Sequence, residues 1–125
     1  MLLLAACTML EPSSDFPANA VPMTPPAAYL GWWQATEACA ARTGRFTRIR
    51  WYVVPGAMTF PTHEGPKVGL WSRVGDEVRI AVAEGYVTHE LVVRHEMLHA
   101  LLDREGHPPL YFQQRCALTW ETWHG

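Results

Sequence analysis

His95 and His99 stand four residues apart, with Glu96 directly after the first, and together they form the pattern HExxH. On a helix, positions i and i+4 share a face, so both imidazoles reach a single cation on one side. Glu96 lies about 100° around the helix from His95. It is near enough to hold a water at that cation without ligating it, which is what a general base requires. Neutral imidazole nitrogens suit Zn2+. The other reading is a buried helix whose histidines are hydrogen-bonded core residues, but burying two imidazoles and a carboxylate together without a metal is costly.

The motif needs a helix, and its surroundings supply one. No Pro or Gly occurs from Val87 to Glu105, and Thr88 is a suitable N-cap. Leu91, Leu98 and Leu102 flank the histidines, while Val93, Met97 and Leu101 cover the back. A helix apolar on so many sides belongs between layers. The layers must come from the rest of the chain. A first helix is expected over Ala27–Arg42, opened by Pro25-Pro26, stopped at Gly44, and facing the core with Tyr29, Trp32, Thr36, Cys39 and Ala40. Strands are expected over Arg48–Val54, Val68–Ser72 and Val78–Ala83, the last two joined as a hairpin around Val74–Glu77. Between them a loop from Gly56 to Pro66 carries His63, read as an exposed loop histidine. A last short helix is expected over Tyr111–Trp123. The fold class is therefore α+β: N-terminal helix, three-stranded twisted sheet, buried motif helix and short C-terminal helix.

A chain of 125 residues suits one domain with one core. The net charge of −2 offers no basic footprint, so nucleic acid is not an expected partner. No stretch approaches the roughly 20 apolar residues of a membrane-spanning helix. Residues 1–7 read as the end of a secretory signal, and Leu4-Ala5-Ala6-Cys7 resembles the lipobox of bacterial lipoproteins. That resemblance implies lipidation at Cys7 and an extracytoplasmic location, and Thr8 after Cys7 favours the outer membrane; the missing charged n-region and most of the apolar h-region point to a true start upstream of Met1 or to a trimmed chain. A chance cysteine after a short apolar tail is the alternative. Residues 8–26, with five prolines, read as an extended spacer. With Cys7 lipidated, Cys39 and Cys116 remain as an even pair in an oxidising compartment, and a disulfide between them is expected. Two free thiols are the alternative.

The order helix, strands, HExxH helix and short C-terminal segment resembles the zincin metallopeptidases over residues 27–125. The likeness is sharpest at 95–99. It implies a zinc-dependent peptidase, monomeric, with three protein ligands and a peptide or protein substrate. His107 is the first choice for the third ligand, because Gly106 can turn the chain and Pro108-Pro109 prevents the helix from continuing. Metzincins use a glycine turn and a third histidine in this manner, although here it comes eight residues after His99 and no glycine stands at 102. At about 1.5 Å per residue, a helix running on to Glu105 would carry His107 too far. The motif helix should therefore end near Leu102 or Asp103. Glu121 is the rival, by resemblance to gluzincins, followed by Asp103 and His124. Tyr111 resembles the tyrosine that donates to the oxyanion in some zincins; packing into the core is its other reading. A peptide would pair with a sheet edge at 68–72. The alternatives to a peptidase are a zinc-binding domain without turnover and a structural envelope lipoprotein.

Overall fold

Alternation of buried Ile49 and Trp51 with exposed Arg50 marks the strand around which the sheet is built. In the computed structural model, which describes residues 15–125, the elements follow in the order β1 (Val21–Pro22), α1 (Ala28–Ala40), β2 (Ile49–Val54), β3 (Phe60–Thr62), β4 (Gly65–Lys67), β5 (Gly69–Val74), β6 (Glu77–Ala83) and α2 (Glu90–Leu102), with a π-helical segment at Leu110–Arg115. The residues read as a signal remnant, Cys7 and the first part of the expected spacer lie outside the described residues.

The result is a small α+β domain, but its sheet differs from the expected three strands. It has four, in the order β1-β2-β6-β5. β2 and β6 run parallel, and β5 returns antiparallel on β6 through the turn at Gly75. The fourth strand comes from the segment read as a spacer. Val21 and Pro22 pair with Val53 and Tyr52, and the Met23 N–H donates to the Trp51 carbonyl at 2.9 Å. Proline is tolerated there because the strand lies at the edge. Phe16 packs edge-on against Tyr52 at 5.0 Å, and the Asp15 carboxylate accepts bonds from the backbone and ring of His63. The expected loop holds a second hairpin, β3–β4, turning at His63-Glu64.

Both helices cover one face of the sheet. Tyr29 and Trp33 from α1 meet Trp51, Ile80 and Val82 from the strands and Val92, Val93 and Met97 from α2 in a single cluster. The inward face of α1 is thus Tyr29, Trp33, Thr36 and Ala40. Trp32 is half-buried instead, stacked on Tyr29 at 5.3 Å. The Tyr29 hydroxyl donates to the Val87 carbonyl at 2.6 Å, tying α1 to the approach to α2. Arg94 adds a polar link, donating to the Thr36 hydroxyl at 2.9 Å and to Glu90 at 3.0 Å.

The C-terminal segment does not form the expected long helix. Helical hydrogen bonding stops at Arg115, and Ala117 takes φ 52°. A disulfide between Cys39 and Cys116, with their Cα atoms 5.1 Å apart, pins this break to the end of α1. The following residues can then fold across α2 rather than away from it. Phe112, Cys116 and Leu118 pack with Leu91 and Leu98 in a second cluster on that side. The buried helix is thereby layered between sheet and C-terminus.

Candidate metal centre

α2 starts one residue later than expected. His89, with extended backbone, occupies the N-cap position in place of Thr88, and its ring packs against Tyr86 and Trp120. The helix runs through the motif and ends at Leu102. Asp103 then takes the left-handed conformation, φ 54°, and its N–H and that of Arg104 both turn back to the His99 carbonyl. Gly106, at φ 82°, completes the return. Ending the helix here brings His107 back over the first two histidines.

His95, His99 and His107 each offer a ring nitrogen, and these atoms lie within 4.8 Å of one another. The Nε2 atoms of His95 and His107 are 3.1 Å apart. Two nitrogens bound about 2.0–2.1 Å from one tetrahedral zinc stand about 3.3–3.4 Å apart, so the spacing is close to that of a ligated pair. Main-chain atoms settle which nitrogen is free. His95 Nδ1 donates to the Leu118 carbonyl at 2.7 Å, and His99 Nδ1 to the Arg104 carbonyl at 2.9 Å. Both Nε2 lone pairs are left for a cation, the arrangement in which an outer partner orients a ligating imidazole. Phe112, fully buried, is the floor beneath all three rings, 4.8 to 4.9 Å from each. Three neutral nitrogen donors at this spacing, two of them with rings oriented by carbonyls, fit a divalent metal ion.

The other expected residues are placed elsewhere. Tyr111 accepts a hydrogen bond from Arg42 Nη2 at 3.2 Å and does not line the cleft, a correction to its expected place at the reacting carbonyl. Asp103 pairs with Arg73 on β5, clamping the return loop to the sheet edge. Glu121 lies in the exposed turn after Leu118 and reaches the cleft rim, but is outside the histidine cluster. His124 is exposed near the chain end.

Glu96 is 7 % exposed and faces a cleft of about 600 Å³ that also holds the three histidines. Burial pushes its carboxyl up to about 8, against the pull of Lys67 and of the Trp71 backbone hydrogen bond. β5 comes unusually close. A Cβ added at Gly69 would stand 3.0 Å from Glu96 Cγ and 3.1 Å from Oε2. A side chain at position 69 would make the buried Glu96 or Val92 side chain give by a few tenths of an ångström.

Burial pulls His95 from 6.5 down to about 4 and His99 to about 3, opposed by their bonds to carbonyls and assisted by Lys67 and the neighbouring histidines. His107 is lowered too, mainly by burial. Neutral imidazoles are thus kept ready for a cation well below neutral pH. The same shifts set how metal-free stability depends on pH. Unfolded, His95 and His99 take up protons below about 6.5, which the folded chain refuses, so stability falls on acidification from there. Folded Glu96 keeps its proton up to about 8, whereas the unfolded group releases it above about 4.5, so its contribution is lost as pH rises between the two. Two histidines outweigh one glutamate below 6.5, and the glutamate acts alone above. Melting in chelator is expected to be highest near pH 6.5 and to fall on both sides. Added zinc should remove the alkaline decline, because a cation beside Glu96 favours its carboxylate. A melting temperature that changes steadily in one direction from pH 4.5 to 8 would contradict this pattern.

Comparison with family models, curated proteins and solved structures finds no match for the chain.

Proposed function

We propose that the protein is a zinc-dependent peptide-bond hydrolase. The observation that carries this reading is the convergence of His95, His99 and His107 at one point beside a buried carboxylate in an open cleft. When bound there, zinc supplies a Lewis acid that polarises a carbonyl and lowers the pKa of a water. Glu96 takes the proton of the attacking water and delivers it to the departing amine. A cation at the three histidines would favour the Glu96 carboxylate, the form able to accept that proton.

β5 is the last strand of its sheet and lines the cleft through Gly69, Leu70 and Trp71. An extended peptide pairing with that edge by main-chain hydrogen bonds would lie beside Glu96 and the three nitrogens. The arrangement supports a zincin-like reading at the level of the site. The Cys39–Cys116 disulfide suits an oxidising compartment, and with the Leu4–Cys7 pattern supports an extracytoplasmic, lipid-tethered protein.

Metal analysis and hydrolysis of a mixed peptide library, with and without chelator, test the reading together. One zinc per chain and zinc-dependent cleavage are expected. A chain that retains no zinc rules the reading out, and zinc without cleavage leaves a zinc-binding domain.

A further inference from the structure

Water adding to a peptide carbonyl puts negative charge on the carbonyl oxygen, and a donor positioned there accounts for a large share of many enzymes' rates. With Tyr111 turned to Arg42, the cleft is the place to look for a donor that would assist the metal. Among the described residues lining it, Lys67 is the one lysine or arginine, and it is the only lysine in the chain. It closes β4, two residues before the glycine that lies on Glu96. It lines the same cleft as Glu96, His95, His99 and His107.

Lys67 has a partner in Glu64, with Nζ 3.5 Å from Oε1, and the Glu64 side chain is 65 % exposed. Exposed pairs of this kind contribute little, about 1 kcal/mol or less. The ammonium, on a flexible four-carbon stem, is therefore free to turn toward a bound peptide.

We propose that Lys67 is a catalytic residue of the cleft, its ammonium donating a hydrogen bond to the substrate carbonyl oxygen as charge develops there. The proposal rests on the hydrolase reading above. In the balanced reaction the water oxygen bonds to the carbonyl carbon, the carbon–nitrogen bond breaks, and Glu96 carries a proton from water to the amine. Lys67 keeps its own proton throughout, so it adds no acid or base step.

The test compares zinc-loaded wild type with Lys67→Met and Lys67→Arg, first with inorganic phosphate as a tetrahedral anion and with imidazole as a neutral metal ligand. Calorimetry should show phosphate binding weakened about tenfold in Lys67→Met and largely restored in Lys67→Arg. Imidazole binding should not change. In hydrolysis, Lys67→Met should lower kcat about 100-fold with KM nearly constant, on peptides with free and amidated C-termini alike. Equal phosphate affinity in wild type and Lys67→Met overturns the proposal, as does phosphate that fails to bind zinc-loaded wild type. Loss confined to free C-termini overturns it in favour of a carboxylate anchor. Zinc lost from Lys67→Met overturns it in favour of support for the ligands. Absence of zinc from wild type is a separate result, which removes the hydrolase reading and this role together.

Discussion

Glu96→Gln is expected to retain one zinc per chain and to lose peptide hydrolysis by about 10²–10⁴-fold. The substitution keeps the shape that fills the space under Gly69, where the strand approaches within van der Waals contact. It removes only the capacity to take a proton. The three nitrogens that would hold the metal come from other side chains, whose orienting bonds run to Leu118 and Arg104 and not to Glu96. Zinc content should therefore be unchanged. Stability of the metal-free variant should lose its decline between pH 6.5 and 8, since the neutral amide has no proton to hold. Hydrolysis persisting at a tenth of wild type or better would remove Glu96 from the mechanism.

Removing the disulfide is expected to be the most destabilising covalent change, costing about 2–5 kcal/mol in a domain of this size. The bridge spans 77 residues, so it restricts a large part of the unfolded chain. Its second effect is local. Leu118, whose carbonyl orients His95, lies two residues after Cys116 and is held by its own N–H bond to the Phe112 carbonyl at 2.8 Å. Cys39→Ala with Cys116→Ala frees the segment that carries both. Denaturant unfolding of the double variant should show the stability loss in chelator, and zinc titration should show weaker binding than wild type. Unchanged zinc affinity in a destabilised variant would show that the Phe112–Leu118 contact holds the carbonyl without help from the bridge.

The motif helix and its metal-facing side were legible because they depend on local spacing alone. So was the end of α2: a rise of about 1.5 Å per residue forces the helix to stop if His107 is to return, and Asp103 and Gly106 make that return. The pairing of Cys39 with Cys116 followed from their even number in the expected compartment. Strand partnership was not legible. Val21-Pro22 and Phe60–Lys67 carry too few residues for a periodic pattern, and their prolines read as loop, yet tertiary pairing makes strands of them. Trp33 rather than Trp32 faces the sheet because the ridge from Tyr29 continues at i+4. The last helix breaks at Cys116, where the chain is bonded to Cys39 and Ala117 turns left-handed. The carbonyls of Leu118 and Arg104, which decide the tautomers, leave no mark in residue types, since every residue has one.

The two margins of the sheet are built unequally. On one side, two residues including a proline lie along β2 and leave little for another strand to grasp. On the other, β5 runs for six residues with Gly69, Leu70 and Trp71 open to the cleft. Proteins usually blunt such margins with proline, charge or a covering segment, because an open ladder recruits neighbouring chains as readily as ligands. Blunting this one would block the groove beside Glu96. The fold thus leaves its less protected margin at the place where its proposed work is done.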